Sequence, residues 1–257
     1  MKLKPVPDQS ITLKSPREIE IMSEAGCIVA AIVQELKRQA QPGMTTGDLD
    51  RLAGDLMKRY GATSTAKGYF GFPGYICVSV NEQVVHGIPG TRKLRQGDLV
   101  KVDVAARYRG YVADTAASFS IGPPSRQAER LMRVTEEALQ RGIEQARAGN
   151  RIGDVSHAIQ RHVEAQGLAI VREFVGHGVG REMHEAPQVP HFGPPGKGRL
   201  LVSGMCLAIE PQVNLGQPGV RILEDGWTAV TLDGSLSAHF EHTVAITTQG
   251  PRVLTLP

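Results

Sequence analysis

Apolar residues recur along this chain with two spacings, three to four positions in some stretches and two in others. The first spacing predicts a helix from about Ser15 to Lys37 and further helices over 46–60, 125–146 and 152–166. The segment Ser15-Pro16-Arg17-Glu18 combines an N-cap residue, a first-turn proline and a capping-box glutamate, as helix starts do. Residues 1–14 are predicted to be a loose lead-in. The stripe of the first helix is Met22, Ala25, Val29, Ile32, Val33 and Leu36.

The second spacing predicts a β-hairpin from residues 98–104 and 111–115, joined by the glycine-bearing link 106–110. A turn centred between Tyr108 and Arg109 would place Asp103 directly opposite Asp114, with Cβ atoms about 5 Å apart. Facing carboxylates are destabilising unless they share a proton, meet a cation or bind a metal. We take metal binding as the leading interpretation, and two solvated aspartates on an exposed face as the alternative.

An internal repeat relates the two halves of the chain. Residues 39–49 align without a gap with residues 145–155, at an offset of 106 positions. Residues 99–103 match residues 206–210 at an offset of 107, so that Asp103 corresponds to Glu210. A long period that occurs only twice indicates one pseudo-symmetric domain over 15–257, with halves at about 15–122 and 123–257, and not a solenoid. A site is expected where the halves meet.

Composition and charge narrow the class of protein. Hydrophobic residues make up 41% of the 257 residues and charged residues 21%, which is ordinary for a soluble globular protein. Without an apolar run of eighteen residues or a signal peptide, the chain is predicted to be cytoplasmic. A net charge of +3 does not argue for nucleic acid. Buried free thiols are expected at Cys27, Cys77 and Cys206, and a solvated basic face from Arg92, Lys93, Arg95, Lys101, Arg107 and Arg109.

Further titratable residues lie in apolar or glycine-rich surroundings. His177 stands between glycines in residues 176–180, where little side-chain bulk would block a metal or substrate, and Glu210 and Glu241 lie in apolar strands. Each alone could be a hydrogen-bonded core residue, since a buried carboxylate needs a partner. If they converge with Asp103 and Asp114, four carboxylates and one imidazole could hold two divalent ions that activate a water for hydrolysis.

Oxygen-rich ligation of this kind suits manganese, iron, cobalt or zinc. It argues against a structural zinc site. Two histidines, His86 and His184, remain outside this set of five. Both could position a reacting carbonyl or amide group.

Eight short motifs recur along the chain in a recognisable order. They are 77–82, 86–89, Val102-Asp103-Val104, Asp114-Thr115, 176–180, Ile209-Glu210-Pro211, Gly226-Trp227 and Glu241-His242-Thr243. Together they resemble the type I methionine aminopeptidases, from about Ser15 to Leu256. About thirty residues separate Glu210 from Glu241, too few for the helical insertion of the type II enzymes, so the chain resembles a short bacterial-type member. The resemblance implies an α/β (α+β) pita-bread fold, in which two pseudo-symmetric halves of helices pack on an antiparallel curved sheet.

The resemblance also implies roles for individual residues. Asp103 would chelate one of two divalent metals, Asp114 and Glu241 would bridge them, and His177 with Glu210 would complete the second. Glu210 would handle the proton of the attacking water. His184 would stabilise the tetrahedral oxyanion, and His86 would contact the scissile amide or the leaving amine.

The methionine pocket would be walled by Tyr69, Phe72, Cys77, Phe174 and Trp227, for which core packing is the alternative. Asn81 and Ser237 resemble a monovalent-cation site of the family. Two departures concern the pocket. Met183 stands where bacterial members often carry phenylalanine, and Lys67 stands where an apolar residue is common.

The function implied is a cytosolic metal-dependent aminopeptidase that removes the initiator methionine from nascent polypeptides with a small second residue. It is expected to be a monomer without membrane or sequence-specific nucleic-acid binding, and the basic stretch Arg92–Arg109 could contact the ribosome. One rival is a proline-directed aminopeptidase or prolidase of the same fold. The other is a pita-bread protein without activity that binds nucleic acid or partner proteins.

Overall fold

The computed structural model describes residues 11–256, so most of the predicted lead-in lies outside the described residues. Four α-helices occur in this range, and each begins and ends within two residues of its predicted bounds. The predicted capping box is confirmed, because Ser15 N donates to Glu18 Oε2 at 2.8 Å and Glu18 N donates to Ser15 Oγ at 3.4 Å. The helices are α1 (Pro16–Gln39), α2 (Thr46–Arg59), α3 (Arg126–Gln145) and α4 (Ile152–Ala165).

Residues 11–256 also contain fourteen β-strands, nine of which form one antiparallel sheet. In chain order they are β1 (Thr63–Ser64), β2 (Cys77–Val80), β3 (Leu99–Tyr108), β4 (Tyr111–Ser120), β5 (Ala169–Ile170), β6 (Gly176–Gly178), β7 (Glu185–Val189), β8 (Cys206–Ile209), β9 (Gln212–Asn214), β10 (Val220–Ile222), β11 (Ala229–Thr231), β12 (Ser237–His239), β13 (Glu241–Thr247) and β14 (Gly250–Val253).

The nine-stranded sheet has the order β1-β3-β4-β13-β8-β6-β7, with β2 also paired to β3 and β14 to β13. Strand β2 begins only at Cys77. The cause is Asp50 in α2, whose Oδ1 accepts the backbone N–H groups of Tyr75 and Ile76 at 2.6 and 3.0 Å. A side chain thus takes the hydrogen bonds that would have extended the strand.

The hairpin of β3 and β4 differs from the prediction in its turn and register. Both strands are longer than expected, and the turn is the pair Arg109-Gly110, each with positive φ. Asp103 therefore faces Ala116 and Asp114 faces Ala105, so the predicted direct opposition of the two aspartates is wrong. Each aspartate thus faces a residue two positions further along the other strand than predicted. A shift of two residues keeps both carboxylates on the same face of the sheet, where they are diagonal neighbours.

Two hydrophobic clusters reflect the sequence repeat. One joins α1 and α2 to β2, β3 and β4, and the other joins α3 and α4 to β8, β12 and β13. The strands β4 and β13 lie side by side in the middle of the large sheet. The two halves therefore meet along a seam between one strand of each.

Three expectations about single residues are corrected. Cys27 is exposed on α1, whereas Cys77 and Cys206 are buried as expected. Lys101 is not on a solvated face, since it is only 1% exposed. Lys14, at the end of the supposedly loose lead-in, is buried and its Nζ pairs with Glu185 Oε2 at 2.6 Å. Among residues 11–256, no helix is long and apolar enough to span a membrane.

Candidate metal centre

Five neighbouring strands of the large sheet carry the five predicted metal ligands. Following the order β3-β4-β13-β8-β6, they present Asp103, Asp114, Glu241, Glu210 (the residue after β8) and His177. Asp114 and Glu241 thus occupy the two central strands that meet at the seam between the halves. The outer positions belong to Asp103 on one side and to Glu210 and His177 on the other.

The side chains of these residues converge. Asp103 and Asp114 line the same cavity, close enough for the charge of Asp103 to act on Asp114. His177 Nε2 lies 3.5 Å from Glu210 Oε1 and 4.0 Å from Asp114 Oδ2. Asp114, His177 and Glu241 each offer one ligand atom within 4.8 Å of the others, a spacing that one metal ion can span. Convergence, which the sequence could only suggest, is therefore present in the fold.

Burial raises the pKa values of all four carboxyl groups, and repulsion between the carboxylates raises those of Asp114, Glu210 and Glu241 further. Burial raises the pKa of Asp103 to about 6. The pKa of Asp114 is raised well above its usual range, first by burial and then by the charge of Asp103. Burial, followed by the charge of Asp114, does the same for Glu210 and Glu241. Because four neighbouring buried carboxyl groups cannot all be ionised without compensating positive charge, the site is suited to binding cations.

His177 is held in one tautomer. Its Nδ1 donates to the carbonyl oxygen of Gly178 at 2.9 Å, so the lone pair lies on Nε2, the atom that faces the carboxylates. Burial lowers the pKa of His177 to about 4, which keeps the imidazole neutral. The flanking glycines are required mainly because neighbouring backbone lies close to them. A Cβ at Gly176 would lie 2.3 Å from Ala208 O, and a Cβ at Gly178 would lie 2.2 Å from Ala186 O.

Two buried carboxylate oxygens have no hydrogen-bond partner among the described residues, Asp114 Oδ1 and Glu241 Oε1. Buried oxygens of this kind are costly unless a cation satisfies them. Both belong to the central strands. Together with a neutral histidine whose Nε2 is free to coordinate, they fit hard or borderline divalent ions.

Two more histidines border the centre. The rings of His184 and His177 have centroids 4.2 Å apart, and His184 Nδ1 forms a 2.8 Å hydrogen bond with the Tyr69 hydroxyl. His86 packs edge-to-face on Phe174, with centroids 5.2 Å apart. Burial lowers the pKa of His86 to about 4; burial and the neighbouring His177 and His86 lower that of His184 to about 2. Both rings are therefore neutral at pH 7.

A cavity of about 80 Å³ opens onto these groups. All the predicted pocket residues line it, and so do the five predicted ligands, His86 and His184. Met183 also lines this cavity, and its Sδ lies 3.3 Å from Thr65 Oγ1. Lys67 does not line it, because its ammonium lies over the Tyr75 ring, 3.5 Å from the centroid. The predicted pocket residues that line the cavity are Tyr69, Phe72, Cys77, Phe174 and Trp227.

Sequence reasoning missed a set of polar residues around Glu210. Gln212 Nε2 donates to Glu210 Oε2 at 2.9 Å, and His239 Nε2 lies 3.8 Å from the same oxygen. His191 Nε2 accepts the backbone N–H of Glu210 at 3.1 Å. Gln212 is two positions after Glu210, and His239 is two before Glu241, so a search at strand spacing would have found both. His191 offers no comparable signal.

The residues predicted for a monovalent cation lie at the junction of the two halves. The carbonyl oxygen of Asn81, which follows β2, accepts the backbone N–H of Ser237 in β12 at 3.1 Å. It also accepts a hydrogen bond from the Lys101 ammonium at 2.8 Å. The Lys101 ammonium therefore contacts one of the two residues that the sequence suggested for a monovalent cation.

Comparisons with known proteins agree with this geometry. Residues 20–248 match the model of metallopeptidase family M24. Methionine aminopeptidase 1 of Bacillus subtilis is 51% identical over 95% of this chain and 99% of its own length. The crystal structure of methionine aminopeptidase from Thermotoga maritima superposes with a TM-score of 0.94 at 46% identity, covering 96% of this chain and 100% of that one.

A prolidase from Pyrococcus furiosus is more distant. Its TM-score is 0.77 at 23% identity, and the chain covers 65% of its length, so this likeness shows the shared fold alone. The curled antiparallel sheet with four helices is the pita-bread fold that the resemblance implied. The chain belongs to metallopeptidase family M24 and, within it, to the methionine aminopeptidases of the short bacterial type.

Proposed function

We propose that this protein removes the initiator methionine from nascent polypeptides whose second residue is small, by hydrolysis at a dinuclear metal centre. The observation that carries the proposal is the convergence of four carboxylates and one neutral histidine beside an aromatic pocket. Family membership supports the same activity, since the relatives named above are methionine aminopeptidases.

The ligands divide between two metal positions in the way that the strand order suggests. Asp103 would hold one ion, and His177 with Glu210 would hold the other. Asp114 and Glu241 lie between them on the central strands and would serve both ions, which would satisfy their unpartnered oxygens. Divalent ions held there would supply Lewis acidity toward the scissile carbonyl and lower the pKa of a bound water. Manganese, iron, cobalt and zinc all fit this ligand set.

The remaining residues position the substrate and move protons. Glu210, oriented by Gln212, takes the proton of the attacking water. If the Tyr69 hydroxyl donates to His184 Nδ1, the hydrogen of that ring lies on Nε2, where it can donate to the developing oxyanion. His86, neutral and held by Phe174, contacts the scissile amide or the leaving amine.

The pocket explains a preference for methionine. Phe72 and Trp227 pack edge-to-face with centroids 5.1 Å apart, and Cys77 and Met183 add sulfur to the wall. Aromatic faces and polarizable sulfur suit a thioether side chain.

The test is release of free methionine from the peptides Met-Ala-Ser and Met-Lys-Ser, by metal-free protein titrated with Mn²⁺, Fe²⁺ or Co²⁺. We expect metal-dependent cleavage of Met-Ala-Ser alone. Asp114→Asn is the matched control, because it keeps the side-chain shape and removes a bridging charge. We expect it to abolish release while the circular dichroism spectrum is unchanged.

Other outcomes would favour the rivals. Cleavage of Xaa-Pro peptides in preference to Met-Ala-Ser would support a proline-directed enzyme. No release with any metal from folded protein would support a binding protein without activity, against which the complete ligand set argues.

Several finer properties belong to the same proposal. We propose a cytoplasmic monomer with one domain over 15–257, and light scattering after size-exclusion chromatography tests its mass. Ribosome contact is proposed for the exposed Arg92, Lys93 and Arg95, and unchanged co-sedimentation after their charge reversal would oppose it. We also propose a single positive charge near Asn81 and Ser237, the residues that resemble a monovalent-cation site of the family.

A further inference from the structure

The junction that resembles a monovalent-cation site already contains a charged side chain. Lys101 lies in β3 and is 1% exposed, and its Nζ donates to the Asn81 carbonyl oxygen at 2.8 Å. The Ser237 N–H donates to the same oxygen at 3.1 Å. A backbone carbonyl has two lone pairs, so both are engaged and none remains for a free ion.

The accepting carbonyl is held firmly in place. Asn81 adopts a left-handed conformation with φ of +57°. Its side-chain Oδ1 accepts from Leu99 N at 2.8 Å, and its Nδ2 donates to Asp98 Oδ1 at 2.9 Å. The turn after β2 thus presents its carbonyl toward the start of β3, where the Lys101 side chain originates.

The surroundings of the ammonium are those of a cation site. An ammonium is expensive to bury unless oxygens and negative charges compensate it. Glu82 and Asp98 stabilise its charged form, whereas Arg92 opposes it, and burial lowers the pKa of Lys101 to about 7. Within the part of the chain that the structure describes, Asn81 O is its only hydrogen-bond acceptor.

We infer that the Lys101 ammonium is a built-in replacement for a monovalent cation, so that this protein needs no free K⁺ or Na⁺ at the junction of Asn81 and Ser237. The inference rests on the proposed need for positive charge at this junction. It also gives Lys101 a positioning role. Lys101 and Ser237 share the Asn81 carbonyl, and Ser237 begins β12, which leads directly to the candidate ligand Glu241.

The experiment compares thermal stability of the metal-free protein in chlorides of K⁺, Na⁺ and tetramethylammonium at equal ionic strength. The wild-type melting temperature should be the same in all three salts. Lys101→Asn removes the ammonium, leaves space and supplies an oxygen. Its melting temperature should fall in tetramethylammonium and rise by about 3–6 °C in K⁺ or Na⁺ at ten times the ion's Kd.

Two further variants serve as controls. Lys14→Asn removes another buried lysine, one that pairs with a carboxylate, and should lower the melting temperature equally in all three salts. Lys101→Met fills the same volume without charge and should show no recovery by K⁺ or Na⁺. If Lys101→Asn fails to fold, its refolding yield in the three salts replaces the melting temperature, with recovery expected only in K⁺ or Na⁺.

The inference is overturned if K⁺ or Na⁺ stabilises the wild type more than tetramethylammonium does, because a free ion then binds beside Lys101. It is also overturned if the melting temperature of Lys101→Asn is the same in all three salts, or if K⁺ or Na⁺ raises the melting temperature of Lys101→Met. Methionine release by the wild type, measured separately, decides the proposed activity, so the two failures are distinguishable.

Discussion

At the scale of single residues, burial opposes the ionisation of the carboxyl groups in the metal centre. Four carboxyl groups with raised pKa values surround a neutral histidine, and without a cation they must retain protons to remain buried. The metal-free protein therefore carries an electrostatic cost at neutral pH. That cost is the driving force for binding divalent ions.

A pH titration of the metal-free protein measures this cost at Asp103. Its folded pKa of about 6 exceeds the unfolded value of about 3.9, so the folded state binds the proton more tightly. Its stabilising contribution is complete below the unfolded pKa and is lost as pH rises through about 6. Asp103→Asn, which does not titrate, should therefore gain about 1–2 kcal/mol relative to wild type between pH 4.5 and pH 7.

Urea denaturation of both proteins at the two pH values gives this difference, and using the difference cancels the titration of the buried histidines. A stability difference that is equal at pH 4.5 and pH 7 would show that Asp103 titrates normally. Asp55, an exposed aspartate of α2, provides the control variant Asp55→Asn, which measures what an aspartate-to-asparagine change costs away from the metal centre.

The second prediction at this scale concerns His184. We expect His184→Ala to lower kcat about 10²–10³-fold with little change in bound metal, since the residue is proposed to donate to the oxyanion and not to bind metal. Tyr69→Phe should lower kcat about 3–10-fold, because it removes one hydrogen bond to His184 Nδ1. Metal content is measured by atomic absorption. Loss of metal in His184→Ala would contradict this assignment.

At the scale of elements, close backbone contacts decide how the helices lie on the sheet. Helix α1 packs on β3 and β4 and also touches the end of the chain, where a Cβ at Gly26 would lie 2.0 Å from Leu254 O. Leu254 cannot easily move away, because its N–H donates to Thr243 O in β13 at 2.9 Å. The glycine sets the distance between helix and strand.

Gly26→Ala tests this contact. In a free helix the change would stabilise by about 0.5–1 kcal/mol, but here the clash should dominate and destabilise the protein by about 1–3 kcal/mol. The neighbouring substitution Cys27→Ala is the control, because Cys27 is exposed and should change stability by less than about 0.5 kcal/mol. Chemical denaturation measures both. A stabilising effect of Gly26→Ala would mean that the helix can shift outward.

At the scale of the whole molecule, the metal centre joins the two halves. Asp103 and Asp114 come from the first half, whereas His177, Glu210 and Glu241 come from the second. Ions held by both sets would bind the folded state more tightly than the unfolded chain. Metal binding should therefore stabilise the assembled domain as a unit.

Thermal denaturation with and without Mn²⁺ measures this linkage. At one hundred times the Kd we expect about 2.7 kcal/mol of stabilisation, or a rise in melting temperature of about 5–11 °C. Asp114→Asn should remove most of the rise. An equal rise in that variant would place the stabilising ion elsewhere on the protein.

Much of this protein could be predicted from local sequence. Capping residues and apolar stripes determine the helix ends, because these depend on neighbours three or four positions away. Alternation placed Asp103 and Asp114 on one face even though the turn was misplaced, since moving the partner by two residues preserves the face. The repeat indicated two halves and paired Asp103 with Glu210.

Tertiary structure decided what depends on distant partners. The hairpin register followed from the Arg109-Gly110 turn, and the start of β2 followed from Asp50, a residue of α2. Lys101 is buried because a carbonyl twenty residues earlier accepts its ammonium. His191 reaches Glu210 across nineteen positions. Sequence spacing determines which face a side chain occupies, but only the packed chain determines which distant groups it meets there.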